Sequence, residues 1–284
     1  MELLQLKYFC KVAKGGSISA VAKEFSVPAS SVSQSIKRLE KELNVKLFNR
    51  KANAVSLSEK GAVFLEYAEK SLNSLANGIA AASDDINSGE ISICINTNRR
   101  IVMETVEKFK KLFPDVSVKT RFICNDDFED FNLVIDKEGL LLKGYTSEKL
   151  ISEKLAVAMS KDFHLAGETD FSISRLANAP FIIMSEKTSL YESTVSVCKK
   201  FGFTPKVAIQ SDDPFYIRKC VELGLGVAII PLFSWKGQFN DSIVLKPIEN
   251  CTRTTFVYIN NKKFLSLKTK EFLRMLKENC KESE

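Results

Sequence analysis

Apolar residues near the N-terminus recur at helical spacing. Leu3, Leu6, Phe9, Cys10 and Ala13 predict an amphipathic helix over residues 3–14, ended by Gly15-Gly16. Ser17 is suited to N-cap a second helix over 18–25, with Ala20, Val21 and Phe25 facing inward. Ser26-Val27-Pro28 then makes a tight connection to a third helix over 29–43, whose Val32, Ile36, Leu39 and Leu43 form one stripe. Across residues 44–57 apolar positions alternate on both sides of a polar tip, Lys51-Ala52-Asn53-Ala54, as in a short β-hairpin or wing.

The pattern changes after the hairpin. Ser58 is placed to N-cap a long helix, with Glu59 in its first turn at the favourable dipole end. Gly61, Phe64, Leu65, Ala68, Leu72, Leu75, Ile79, Ala82 and Ile86 trace a single apolar seam along it. A helix this long with one seam needs a facing surface. A second copy of itself is the simplest, and packing on its own domain is the alternative. Asn87-Ser88-Gly89 is the expected hinge. Beyond it strands (91–95, 116–123, 133–135, 155–159, 181–184, 206–209, 227–230, 255–259) alternate with helices (100–113, 190–201, 214–223, 265–279). Such alternation argues for α/β sheets with ligand sites at the strand C-termini. The Lys-rich stretch 143–154 and the Lys/Glu-rich C-terminal tail read as solvated faces.

Charge sharpens this division. Residues 1–60 carry 11 Lys/Arg against 5 Asp/Glu, whereas 61–284 carry 30 of each, so the net +6 belongs to the first module. A short basic module on a long neutral one fits a part that meets a polyanion and a part with another task. Two short helices joined by a tight turn, the second rich in Ser, Gln, Lys and Arg, fit a helix-turn-helix. In that arrangement Ser30, Ser33 and Gln34 approach base edges, while Lys37, Arg38 and Lys41 suit phosphates. Lys46, Arg50 and Lys51 put further charge on the wing.

These sixty residues resemble the LysR-type transcriptional regulators. The matching positions are Leu6, Phe9, Gly16-Ser17-Ile18, Ala20, Ala22, Val32-Ser33, Ile36, Leu39-Glu40, Leu47-Phe48, Arg50, Leu57-Ser58 and Gly61. The resemblance implies an α/β chain overall: a winged helix-turn-helix over 1–58, a linker and dimerisation helix over 59–88, and an effector-binding domain over 89–284. That last domain is similar to periplasmic binding proteins, with lobe one at 90–159 plus 261–284 and lobe two at 160–260, joined by two crossover strands. The implied DNA contacts are Ser17, Ala29, Ser30, Ser33, Gln34, Lys37, Arg38, Arg50 and Lys51. Where the family usually has Ser-Gln-Pro-Ala-Val-Ser, this chain has Pro28-Ala29-Ser30-Ser31-Val32-Ser33, which shortens one polar contact. The wing tip also lacks a second Arg often found there. Both departures bear on operator sequence rather than on fold.

In the second half Gly224-Leu225-Gly226-Val227-Ala228-Ile229-Ile230-Pro231 matches the family best. The effector contacts implied are Asn96, Thr97, Asn98, Ser185, Thr188, Ser211, Asp213, Phe215 and Gly226, and Arg99 and Arg100 favour a carboxylate ligand. The implied partners are double-stranded promoter DNA, a second copy of the chain in a homodimer or homotetramer, a small-molecule effector and RNA polymerase.

Two other classes make different demands. An enzyme would need a catalytic constellation, but there is no G-x-S-x-G, P-loop or strand-to-helix G-x-G-x-x-G, and one histidine, His164. The acidic pairs Asp126-Asp127 and Asp212-Asp213 suit loops or caps. A lone histidine also speaks against a His-based metal site, and no cofactor is expected. The seven cysteines, Cys10, Cys94, Cys124, Cys198, Cys220, Cys251 and Cys280, form no C-x-x-C pair and suit a reducing, cytoplasmic setting. A redox sensor built on Cys198 and Cys220 is the remaining alternative. No run of 18 apolar residues exists and the first residues lack the pattern of a signal peptide, so no membrane role is expected.

Overall fold

A computed structural model describes residues 1–15, 17–51, 54–122 and 128–281, with the side chains of Arg50, Lys51, Ala54 and Val55 outside the description. Gly16, the hairpin tip, the Arg50 and Lys51 contacts, Asp126-Asp127 and the end of the tail therefore lie outside the described residues. The chain forms two compact units: residues 1–84 with 262–264, and residues 85–261 with 265–284.

In the first unit, α1 (Leu3–Gly15), α2 (Ile18–Glu24) and α3 (Ala29–Leu43) precede a hairpin of β1 (Phe48–Lys51) and β2 (Ala54–Leu57), and then α4 (Glu59–Ala82). Phe9, Val12, Val32 and Leu39 are wholly buried, and Ile36 nearly so, so the predicted stripes meet in one core, except that Leu3 and Ala20, expected on the inner faces, are exposed. The Ser17 hydroxyl caps α2 by accepting from Ala20 N at 3.2 Å. Asn44 ends α3 in the left-handed region (φ 51°), which Asn tolerates better than most residues. The Glu40 carboxylate then accepts from Leu47 N (2.8 Å) and Phe48 N (3.1 Å), tying the wing to α3.

Ser58 joins hairpin to helix. Its hydroxyl donates to Lys46 O at 2.7 Å and accepts from Gly61 N at 2.9 Å, while its amide donates to Leu47 O. This clasp lays α4 so close to the chain that a Cβ on Gly61 would stand 2.0 Å from Leu47 O. Gly61→Ala is therefore expected to lower stability by about 1–3 kcal/mol, the overpacking range. Chemical denaturation followed by circular dichroism reads this, and a loss below about 0.5 kcal/mol, the surface-substitution range, would remove the steric argument. Helix α4 stops at Ala82, four residues short of the predicted seam end at Ile86. Phe64, Leu65, Ala68 and Leu72 pack on the first core, whereas Leu75 and Ile79 are exposed.

The second unit follows the predicted alternation: β3 (Glu90–Ile95), α5 (Arg99–Leu112), β4 (Ser117–Phe122), β5 (Leu133–Lys137), β6 (Tyr145–Ser160), β7 (Pro180–Met184), α6 (Ser189–Lys200), β8 (Lys206–Ser211), α7 (Pro214–Glu222), β9 (Ala228–Pro231), β10 (Ile243–Asn260) and α8 (Leu267–Lys281). One sheet runs β4-β3-β5-β10-β6-β9, and β7 pairs in parallel with β8. Strands β6 and β10 lie antiparallel along most of their length, with β5 paired to β10 towards one end and β9 paired to β6 towards the other. They are far longer than the predicted segments 155–159 and 255–259, and the solvated reading of 143–154 is corrected here. Residues 146–149 are exposed as that reading expects, but Ile151 and Glu153 are buried, because alternate residues turn inward from 151 to 154. The C-terminal tail is likewise half a core element, with Phe272, Leu273, Met275, Leu276 and Cys280 buried on α8.

Candidate functional site

On α3 the buried stripe Val32–Ile36–Leu39 leaves the opposite sector to Ser30, Gln34, Lys37 and Lys41, all exposed, with Ser33 half-buried at its margin. Arg38 is exposed beside them, and Ala29 is exposed at the helix start. Acids of this unit are engaged elsewhere: Glu24 with Lys11, Glu69 with Lys14, Glu42 with the N-terminal amine. Among the described residues Lys37, Arg38 and Lys41 have no carboxylate partner, so a free positive face lies on the helix predicted to enter a groove. Ser17 is half-buried and its hydroxyl is already used in capping α2.

In the second unit, strands β3, β7, β8 and β9 all end at one cavity of about 410 Å³. Loops at strand C-termini have unpaired backbone and free side chains, which is why α/β sheets place ligands there. Of the predicted residues, Asn96, Thr97, Asn98, Thr188, Asp213 and Phe215 line this cavity. Ser185, Ser211 and Gly226 do not. Ser185 N donates to Ser211 O, and the Ser211 hydroxyl accepts from Asp213 N, so both serines brace the loops behind the wall. A Cβ on Gly226 would meet Pro180 O at 2.4 Å, so this glycine permits close strand packing.

The cavity floor is a buried polar cluster. Arg253 Nη2 donates to Asn98 Oδ1 (2.6 Å) and to Glu153 Oε1 (3.0 Å). The Ser234 hydroxyl donates to Asn98 Oδ1 (3.0 Å) or Glu153 Oε1 (2.5 Å), and Ser234 N to Glu153 Oε2 (2.8 Å). Asn98 is left-handed (φ 55°) at the start of α5, Glu153 and Arg253 face each other across β6 and β10, and Ser234 follows β9. The cluster thus ties the start of α5, strands β6 and β10 and the segment after β9 together. Two donors, Asn98 Nδ2 and Arg253 Nε, are buried without a hydrogen-bond partner. Such orphans are uncommon in folded proteins and ask for an acceptor.

Four arginines line the cavity, Arg99, Arg100, Arg218 and Arg253, against one carboxylate, Asp213. Met103, Met184, Leu190 and Trp235 add apolar surface. Burial, opposed by Asp213, holds the guanidinium pKa values of Arg99 and Arg218 below the ordinary value. Arg218, Ser234, Trp235 and Arg253 were not anticipated from sequence. Nothing local marks them, since their role comes from the convergence of distant loops.

Other chemistry is sparse. Among the described residues no group of three or more His, Cys, Asp or Glu could hold a metal ion, and no helix is long and apolar enough to cross a membrane. Cys198 and Cys220 are free and belong to different packing clusters. Burial pushes the Cys198 thiol up to about 12, the opposite of what a reactive thiolate needs.

Comparison with known proteins agrees with this geometry. Residues 3–62 match the family described as bacterial regulatory helix-turn-helix protein, lysR family, and residues 85–281 match the LysR substrate binding domain. The HTH-type transcriptional regulator ShiR of Corynebacterium glutamicum is 30% identical over 248 residues, covering 81% of this chain and 82% of its own. The transcriptional dual regulator GltC of Bacillus subtilis is 26% identical, covering 81% of each. Among solved structures, a full-length OxyR variant from Pseudomonas aeruginosa superposes with a TM-score of 0.66 at 18% identity, over 99% of this chain and 95% of that one. Full-length CbnR complexed with its target DNA gives 0.56 at 18% identity, over 99% and 100%. These relatives are regulators rather than enzymes. With a basic helix-turn-helix at one end and a ligand-sized cavity in the α/β half, the chain belongs to the LysR family of transcriptional regulators.

Proposed function

We propose that this regulator binds a two-fold symmetric DNA site as a dimer and is switched by a small anion held in the cavity of residues 85–281. In this reading 1–58 read DNA, 59–88 join two copies, and 89–284 sense the effector between lobe one (90–159, 261–284) and lobe two (160–260). Ser30, Ser33 and Gln34 contact bases, and Lys37, Arg38, Arg50 and Lys51 contact phosphates; Ser17 and Ala29 border the backbone. The exposed Leu75 and Ile79 on α4 favour a second copy as the facing surface.

The observation that carries the effector reading is the excess of cavity arginine over carboxylate, beside the orphaned Asn98 Nδ2 and Arg253 Nε. Asn96, Thr97, Asn98, Thr188, Asp213 and Phe215 form the walls. The cavity is bounded by both lobes, so an anion bound there has different contacts in open and closed arrangements. That difference in affinity is what shifts the protein between states.

Footprinting on the intergenic DNA beside its own gene, across a salt series, tests this. The expected result is a two-fold symmetric protected site with steep salt dependence, whose extent changes when small acids are added. Protection that no small molecule alters would count against the effector reading, and no protection at any salt against the DNA reading.

A further inference from the structure

The four cavity arginines are not equivalent. Arg253 is occupied by Glu153 and Asn98. Arg100 donates to Ser234 O (3.0 Å) and Phe233 O (2.8 Å) and pairs with Glu104. Arg99 and Arg218 remain. Both are half-buried, and among the described residues neither has a hydrogen bond or an ion pair. Each instead rests on an aromatic face, Arg99 with Cζ 5.2 Å from the Phe122 ring centre and Arg218 with Cζ 5.2 Å from that of Trp235.

The two stand on different lobes. Arg99 begins α5 in lobe one and Arg218 lies on α7 in lobe two. The carboxylate of Asp213 acts on both through space, and it is already engaged as the cap of α7, accepting from Phe215 N at 2.9 Å. Asp212 also acts on Arg99 and Glu222 on Arg218, but none of these carboxylates makes an ion pair with either arginine, so two partly desolvated cations lack a direct partner among the described residues. A ligand with a single acidic group could pair with one of them and would leave the other without a direct partner in a closing cleft.

Resting on the effector reading above, we propose that the ligand carries two acidic groups, one for Arg99 and one for Arg218, on an apolar spacer. A guanidinium placed over an aromatic ring, as Arg99 and Arg218 are, still has N–H donors to offer for bidentate carboxylate contact. Met103, Met184 and Leu190 supply the apolar surface against which a spacer would lie. A diacid spanning both lobes also explains how binding biases the cleft: only an arrangement that brings both arginines within reach satisfies both charges, so the ligand favours closure.

The test uses the full chain and its single tryptophan, Trp235, which lies in the cavity wall under Arg218. Linear dicarboxylates from malonate to suberate are titrated against their half-amides, which keep length and shape but remove one charge. The expected result is at least one chain length that changes Trp235 fluorescence with a Kd tenfold or more below that of its half-amide. Arg99→Gln and Arg218→Gln should each shrink that ratio to about twofold, while Arg218→Lys, which keeps the charge, retains part of it. Thermal melts confirm that the variants are folded. A half-amide that binds as tightly as its diacid overturns the two-acid proposal and leaves the cavity as the effector site. Failure of every acid, mono or di, to bind overturns both.

Discussion

Glu153→Ala is expected to destabilise the α/β unit by about 3–5 kcal/mol, the cost of leaving one member of a buried ion pair without its partner. Glu153 and Arg253 are 1% and 8% exposed at their side chains, so water cannot take over for the missing charge. The loss is compounded because Ser234 gives up two hydrogen bonds to the same carboxylate. Urea unfolding followed by Trp235 fluorescence isolates the effect, since the one tryptophan lies in this unit. Removing both charges with Glu153→Leu and Arg253→Met should recover much of the loss, because the remaining charge is then no longer stranded. A single variant within about 1 kcal/mol of the parent would mean that the cluster is not needed to hold α5, β6, β10 and the segment after β9 together.

The second large effect is on DNA. Replacing Lys37 and Arg38 together by alanine is expected to weaken binding on operator and random DNA alike. If each contacts one phosphate, the slope of log K against log salt should fall by about 1.8 per protomer, or about 3.6 for a dimer. Gln34→Ala should behave differently, relaxing preference at one base position with the slope unchanged. Binding titrations at several salt concentrations separate the two. An unchanged slope in the double variant would show that this face of α3 does not meet the phosphate backbone. Stability should hardly change in either case, as these side chains are exposed and make no ion pair among the described residues.

The first unit was largely legible in sequence because its information is local. Periods of three and four residues, a Ser cap before α2 and another before α4, and a clean stripe on α3 each specify an element without reference to distant residues. Gly61 could be matched to a family pattern, but its reason, a carbonyl 2.0 Å from where a Cβ would stand, emerges only when hairpin and helix are packed. In the second unit, segments buried on both faces, such as residues 155–159, read plainly as apolar runs. The first half of β6 did not. There residues 146–149 are exposed and only Ile151 and Glu153 are buried before Leu155, so the stretch carries the residue pattern of a solvated surface.

The cavity divides the same way. Loops after strands announced Asn96, Thr97, Asn98, Thr188, Asp213 and Phe215, since strand C-termini are where α/β sheets open. Ser185, Ser211 and Gly226 do not line the cavity: the two serines are half-buried and bonded between the neighbouring segments, and Gly226 packs against Pro180. The chain by itself determined the division into a basic reading head and a neutral α/β sensor, because charge and periodicity are properties of neighbouring residues. Tertiary structure alone decided which charges are answered. Arg253 meets Glu153 across 100 residues of sequence, and Arg99 and Arg218 meet no such partner among the described residues. Electrostatic compensation depends on distance and burial in space, and neither is written in the order of the residues.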